Sequence, residues 1–355
     1  GAYTLKDVID SQQYPNSELL AVRGGMSGCN TTSINWLYDW CRKPDIVMEG
    51  GNHAIMNGGI IEPDSIKLLS TSLGGIGHSN ITSFGDTSSS TALASKFAAE
   101  LYYHYPNLNP ETIKALIIHS ADWTPAMLNN LTINALSLDD KKKLISRVGY
   151  GVPNMERALY SANNSLSLIA ERTLQPYRKD KSIIKTDEFD LFNLPWPVEA
   201  LQDLLAVQVK LKITLCYYIE PNPGNRKYEK SASYRSCGLR FKIIDSAESI
   251  DAFKARVSKI MREDDYQAEG VEDWILGSQV RDKGAIHKDI WIGSAADLAT
   301  KNKIAIYPIG GWWKNSKKLM RFNKKVRYSL IVTIEAPESD IDLYTPVLNQ
   351  IAIDV

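Results

Sequence analysis

The chain has 355 residues, 44% of them hydrophobic and 23% charged, which is too apolar and too evenly charged for a disordered protein. It is also longer than one core usually organises, so two domains are expected. Its 41 Lys and Arg balance 41 Asp and Glu, which excludes a global field drawing it to nucleic acid or an anionic membrane.

The runs Lys141–Lys143 and Lys314–Lys318 read as solvated surface. Cys29, Cys41, Cys216 and Cys237 have neither CxxC nor metal-ligand spacing, no apolar stretch is long enough to span a membrane, and no signal-peptide pattern opens the chain. Reduced thiols in a cytoplasmic protein are expected, although the first residues read as the middle of a domain.

The first half predicts α/β structure. Lys43-Pro44-Asp45-Ile46-Val47-Met48 is an apolar run entered through proline and left through Gly50-Gly51, as in a buried strand followed by a turn. Residues 51–87 are rich in Gly, Ser, Thr and Asn and predict loop, with one strand near Ile66–Ser70. Ser88–Tyr105 predicts a helix with Leu93, Phe97, Leu101 and Tyr105 on one stripe, its many small residues implying close packing. Asn109-Pro110-Glu111 is a helix start, with Ile113, Leu116, Ile117 and Ser120 facing inward. A last short helix runs through Met155 and Leu159, and the domain boundary falls near Ser161–Leu166, giving domains 1–163 and 164–355.

Beyond it the period changes to two. Val207, Val209, Leu211, Ile213, Leu215 and Tyr217 alternate with polar residues, which predicts a strand with one face buried, and Val326–Ile334 repeats the pattern. Leu239–Ile244, Ile286–Ile292, Lys303–Ile309 and Val347–Ile353 are further strand candidates, and Ala247–Arg262 is a helix. An all-β sandwich or jelly roll follows from this pattern, able to fold by itself from Leu166.

One stretch carries chemistry. In Gly85-Asp86-Thr87-Ser88-Ser89-Ser90-Thr91-Ala92 a glycine-containing turn delivers serine to the start of an Ala-rich helix, whose unpaired N–H groups suit a hydroxyl that must generate an oxyanion. By itself the stretch also reads as a helix cap in a polar loop. The order of motifs decides: Lys43-Pro44-Asp45-Ile46-Val47 with Gly50-Gly51, then Thr87-Ser88-Ser89-Ser90-Thr91-Ala92, then Tyr105-Pro106 with Ile113-Lys114-Ala115-Leu116, then Gly149-Tyr150-Gly151. Together these resemble the closing third of the catalytic domain of subtilases, the subtilisin-like serine proteases. Gly1-Ala2-Tyr3-Thr4 resembles the strand that follows that family's oxyanion-hole asparagine, and the later strands resemble a β-sandwich appended in one bacterial branch.

The resemblance implies a partial subtilisin-like α/β domain with a parallel sheet, followed by the sandwich, and a serine endopeptidase acting on polypeptides. Ser88 is the implied nucleophile, in a turn of Asp86, Thr87 and Ser88. The family's glycine is replaced by Asp86 and its helix proline by Ala92. Asp tolerates left-handed backbone and so preserves the turn while adding a negative charge; the alternative is a degenerate site.

The family orders its triad as aspartate, histidine, serine, and nothing before Ser88 resembles the first two segments. Both partners are therefore expected upstream, in a missing N-terminal half of the catalytic domain, and the isolated chain is expected to be inactive. His53 and His78 are candidate substitutes that read better as surface or capping residues, and His119 reads as a packing residue. His104, His287 and Asp45 have no catalytic context. The acids Glu49, Glu62 and Asp64 have no recognisable calcium-ligand spacing, so no cofactor is expected, and calcium binding stays open without a motif to support it. Neither nucleic acid nor membrane is an expected partner. The alternative function is a non-catalytic pseudoprotease whose β-sandwich recognises a protein partner, with Trp312 and Trp313 the candidate surface if they do not lie in the core.

Overall fold

The structure, a computed structural model, describes residues 1–36, 41–75, 77, 79–159, 165–194, 196–224, 231–263, 274–315 and 319–336. His78 and the strand candidate Val347–Ile353 lie outside them. It combines helices with several sheets in two compact units: Gly1–Leu108 with Ser120–Leu159, and Asn109–His119 with Tyr160–Val355.

In the first unit β1 (Ala2–Tyr3) runs parallel to β2 (Met48–Glu49), and β3 (Leu68–Thr71) pairs antiparallel with β4 (Ile81–Phe84). A small antiparallel sheet of Glu18–Leu19, Ala54–Met56 and Gly59–Ile61 lies between them in sequence. The helices are α1 (Asp86–His104), α2 (Pro110–Ser120), α3 (Leu138–Val148) and α4 (Met155–Leu159), of which α2 groups almost entirely with the second unit.

The strand expected over Lys43–Met48 is paired only at Met48–Glu49. The preceding residues spend their backbone groups elsewhere: Asp45 O accepts from Tyr150 N at 2.9 Å, and Val47 N donates to Gly151 O at 3.0 Å. Gly149 allows this contact. Its φ is +58°, and a Cβ there would fall 2.2 Å from Asp45 O.

The Lys141–Lys143 run lies on α3, which the sequence reading missed. Ser137 caps that helix at Asp140 N (3.1 Å), while Leu144 and Val148 join Tyr3 and Val47 in a small core. α1 begins two residues before its expected start. Of its predicted stripe only Phe97 and Leu101 are fully buried, and Ala92 and Ala99 are exposed, so the close packing expected of its small residues is confined to Ser89 and Ser90 at its start.

The second unit contains β5 (Ser165–Leu174), β6 (Asp190–Asn193), β7 (Gln208–Tyr217), β8 (Gly238–Ile243), α5 (Ile250–Arg262), β9 (Ile286–Ser294), β10 (Lys303–Ile309) and β11 (Val326–Glu335). They form an antiparallel sheet in the order β9-β7-β11-β5 and a smaller one, β6-β10-β8. One apolar cluster draws on both sheets: Leu211, Ile213, Leu330 and Val332 from the first, Leu239, Phe241, Ile304 and Ile306 from the second, with Phe253 and Val257 of α5. α5 starts later than expected because Ser249 caps it, accepting from Ala252 N at 3.2 Å. Trp312 and Trp313 are buried, their indole N–H groups donating to Glu220 O and Oε2. They lie in the core and do not form a partner surface.

The expectation of one buried face on β7 does not hold, since Lys212, Thr214 and Cys216 on its polar face are also buried. The covering element is α2, and the contacts are polar. At its N-terminal end Glu171 of β5 accepts from Asn109 N (2.7 Å), Asn109 Nδ2 (2.7 Å) and the Thr112 hydroxyl, so a carboxylate from a neighbouring strand meets the positive end of the helix. At the other end Lys288 Nζ of β9 donates to Ile118 O at 3.0 Å. Between them His119 bonds Thr214 Oγ1 through Nδ1 (2.9 Å) and Thr333 Oγ1 through Nε2 (2.8 Å).

A fragment Leu166–Val355 therefore lacks a helix of its own unit. It is expected to unfold at lower denaturant concentration when alone than with excess peptide Asn109–Ser120, because binding to the folded form alone stabilises it. Glu171→Ala should remove most of that gain; equal midpoints with and without peptide would contradict the assignment.

A second buried network sets a pH dependence. Asp289 accepts from Leu276 N (2.8 Å), Gly277 N (2.9 Å) and Arg281 Nη1 (3.2 Å), and the Arg281 guanidinium lies 4.4 Å from the Phe241 ring centroid. His287 bonds Arg281 O at 3.0 Å, and burial pushes its imidazole down to about 4. The unfolded chain then binds a proton near pH 6.5 that the folded ring refuses until about 4, so this group costs stability as pH falls through that window, roughly 3 kcal/mol in all. Asp289, pushed up to about 6 by burial, works in the opposite sense. The wild-type-minus-His287→Gln difference in unfolding free energy isolates the histidine and is expected to fall by about that amount between pH 6.5 and 4.

Candidate active site

The start of α1 is fastened to the end of β2. Asp86 N donates to Gly50 O at 2.8 Å, Ser89 Oγ to Glu49 O at 3.2 Å and to Asp86 O at 2.8 Å, and Ser90 Oγ to Met48 O at 3.0 Å. Gly50 leaves room for this contact, since a Cβ there would lie 2.5 Å from the Ala2 Cβ and 3.1 Å from Ser90 Oγ. These two serines, which the sequence reading did not single out, are buried. Their signal was a run of small hydroxyl residues facing a Gly-Gly turn.

Ser88 is exposed, and its hydroxyl makes no hydrogen bond among the described residues. Thr87 is half-buried, and its carbonyl accepts from Thr91 Oγ1 at 2.7 Å. Asp86, the first helical residue, has φ +65°, the left-handed region expected of a residue standing where glycine is usual. Gly85 before it is extended, with φ −145°. A hydroxyl in this first turn stands among amide N–H groups without intrahelical acceptors, at the positive end of a 19-residue helix.

His53 comes to the same turn. Its Nε2 lies 4.0 Å from Asp86 Oδ1 and 3.7 Å from Glu62 Oε1, its Nδ1 is buried without a hydrogen-bond partner, and only 14% of the side chain is exposed. Glu62 is 2.5 Å from Lys67 Nζ, and the lysine holds that carboxyl below its usual range. The Cys29 thiol, 3.1 Å from Ser27 Oγ, is pushed up by burial and by the neighbouring Asp86 carboxylate, so it stays neutral.

The other candidates lie elsewhere. Asp45 is 2.6 Å from Lys43 Nζ, Asp64 accepts from Ser83 Oγ at 2.5 Å, and Glu49 accepts from Leu5 N (2.6 Å) and Gly51 N (2.8 Å). His104 ends α1, edge-on to Tyr103, while His119 and His287 belong to the second unit. Among the described residues no group of three or more His, Cys, Asp or Glu is arranged to hold a metal ion, and no helix is long and apolar enough to cross a membrane.

The structure thus presents an exposed serine hydroxyl at a helix start, directly after a turn whose first residue is left-handed. Residues 2–151 match the model of the subtilase family. No curated protein matches the sequence. Among solved structures, the chain is similar to one described as "The Structure of Tomato Aspermy Virus by X-Ray Crystallography", at 10% identity over 50% of this chain and 82% of that one, with a TM-score of 0.21.

The left-handed backbone at Asp86 is directly testable. Asp86→Ala should cost about 1–2 kcal/mol, because a Cβ without a polar group pays the left-handed penalty in full, whereas Asp86→Gly should lie within about 1 kcal/mol of wild type. Urea unfolding of the two variants checks this, and equal losses would show that the turn is not the constraint.

Proposed function

We propose that Ser88 is the nucleophile of a subtilisin-type serine endopeptidase. The single observation that carries this is the exposed, bond-free hydroxyl in the first turn of α1, between Asp86 at φ +65° and the two buried serines that fix the helix. Residues 1–163 would be the C-terminal part of the catalytic domain and 164–355 an appended β-sandwich, the whole acting in the cytoplasm.

The base and the orienting acid would come from an N-terminal half of the catalytic domain, since the Nε2 edge of His53 is turned to Asp86 and Glu62. In the reaction Ser88 Oγ bonds to the scissile carbonyl carbon and its proton passes to that base. The C–N bond breaks, the leaving amine takes the proton, and water then hydrolyses the acyl-enzyme. The Ser88 N–H and an asparagine of the upstream half would hold the oxyanion.

The second reading, a non-catalytic protein-binding module, is favoured by one observation: among the described residues no base is hydrogen-bonded to Ser88. Co-expression with the segment encoded upstream separates the two. The chain alone should neither hydrolyse peptides nor react with a serine-directed phosphonate, and the pair should do both. Ser88→Ala should lower turnover by about a million-fold, the magnitude recorded for subtilisin itself, while leaving the association intact. An associated but inert pair would favour the binding module.

A further inference from the structure

The Asp86 carboxylate poses an electrostatic problem. It stands two residues before Ser88, where the family has glycine, and a negative charge there opposes the oxyanion that forms when Ser88 attacks. The Asp86 side chain is 62% exposed, and His53 is the residue that reaches it at ion-pair distance. His53 Nε2 lies 4.0 Å from Asp86 Oδ1 and 3.7 Å from Glu62 Oε1, and Lys67 Nζ stands 2.5 Å behind Glu62. The neutral thiol of Cys29 flanks the same carboxylate.

The ring is held from behind, since a Cβ on Gly28 would lie 3.4 Å from His53 Nδ1, and that nitrogen has no hydrogen-bond partner. Nε2 is therefore the edge turned to the two carboxylates. The main chain is anchored as well: His53 N donates to Asn52 Oδ1 at 2.9 Å, and Asn52 Nδ2 bridges Lys6 O and Ala21 O at 2.9 and 2.8 Å.

We infer that His53 is a positioning residue for the nucleophile turn: its Nε2 edge holds the Asp86 carboxylate aside, so that Asp86 keeps the left-handed backbone without opposing the oxyanion at Ser88. This rests on the reading of Ser88 as nucleophile. The role is conditional on Asp86, which makes it separable from a purely structural one.

The test is a rescue in the full gene product containing this chain, reading kcat and KM on a peptide substrate and the rate of fluorophosphonate labelling, with the labelled residue mapped by mass spectrometry. In labelling, Ser88 Oγ bonds to phosphorus, fluoride departs with the P–F electron pair, and the serine proton passes to the base. His53→Gln should lower kcat and the labelling rate about tenfold with KM little changed. In an Asp86→Gly background the same His53→Gln change should alter both by less than about twofold, whatever the rate of Asp86→Gly itself. Asp86→Asn provides a second background that keeps the side-chain shape, with the same result expected. A His53→Gln loss that persists in both backgrounds, or no loss in the first, overturns the inference while leaving Ser88 labelled. If Ser88 takes no label in any variant, the nucleophile reading falls and this inference with it.

Discussion

Three carbonyls at the end of β2, those of Met48, Glu49 and Gly50, accept from the side chains of Ser90 and Ser89 and the N–H of Asp86, and this set of bonds decides where α1 begins. A helix start leaves donors unpaired and a strand end leaves acceptors unpaired, so joining them satisfies both in one place. It also transmits position. β2 takes its register from β1, with Ala2 opposite Met48 and Tyr3 opposite Glu49, and the helix takes its origin from β2. Ser88 is thereby located by strand pairing rather than by the polar loop that precedes it. The residue types follow: glycine at 50 for close approach, and serines at 89 and 90 because a larger side chain could not reach the carbonyls without pushing the helix away.

The same logic governs α2, with the polarity reversed. A helix usually buries an apolar stripe, yet α2 meets the sheet through a carboxylate at its N-terminal end, an ammonium at its C-terminal end and an imidazole between two threonines. Each group matches the helix dipole or an orphan backbone atom, so burial is satisfied rather than merely tolerated. Such contacts specify orientation more sharply than apolar packing does, because sliding the helix by one residue breaks all of them. They also tie Asn109–His119 to strands more than fifty residues further along, and the chain leaves the first unit and returns to it to deliver them.

Much of this was legible in the sequence where one residue's neighbours in the chain determine its state. Period-two alternation located β7 and β11, Asn109-Pro110-Glu111 located the start of α2, and the Gly-Asp-Thr-Ser turn located α1 with its left-handed residue. What was not legible depends on partners distant in sequence. Lys212 and Thr214 read as solvent-facing because nothing local shows that a helix a hundred residues earlier covers them. His119 read as packing because its two threonines lie 95 and 214 residues away. The pairing of His53 with Asp86 joins a Gly-rich turn to a helix start, and only the fold brings those together. α3 was missed for a different reason: three lysines masked a short amphipathic helix whose cap, Ser137, was the better signal.

The three consecutive serines bear most directly on what the turn is for. A helix-capping serine stands at the N-cap with its oxygen accepting from the first turn; here the N-cap is Gly85, and no side chain caps the helix. Ser89 and Ser90 are the structural members, buried and donating to strand carbonyls. Ser88 lies between the turn and these anchors, exposed, with its hydroxyl uncommitted. Its neighbours are fixed and its own hydroxyl faces outward, which is the arrangement that the proposed nucleophile role requires and that a helix cap does not.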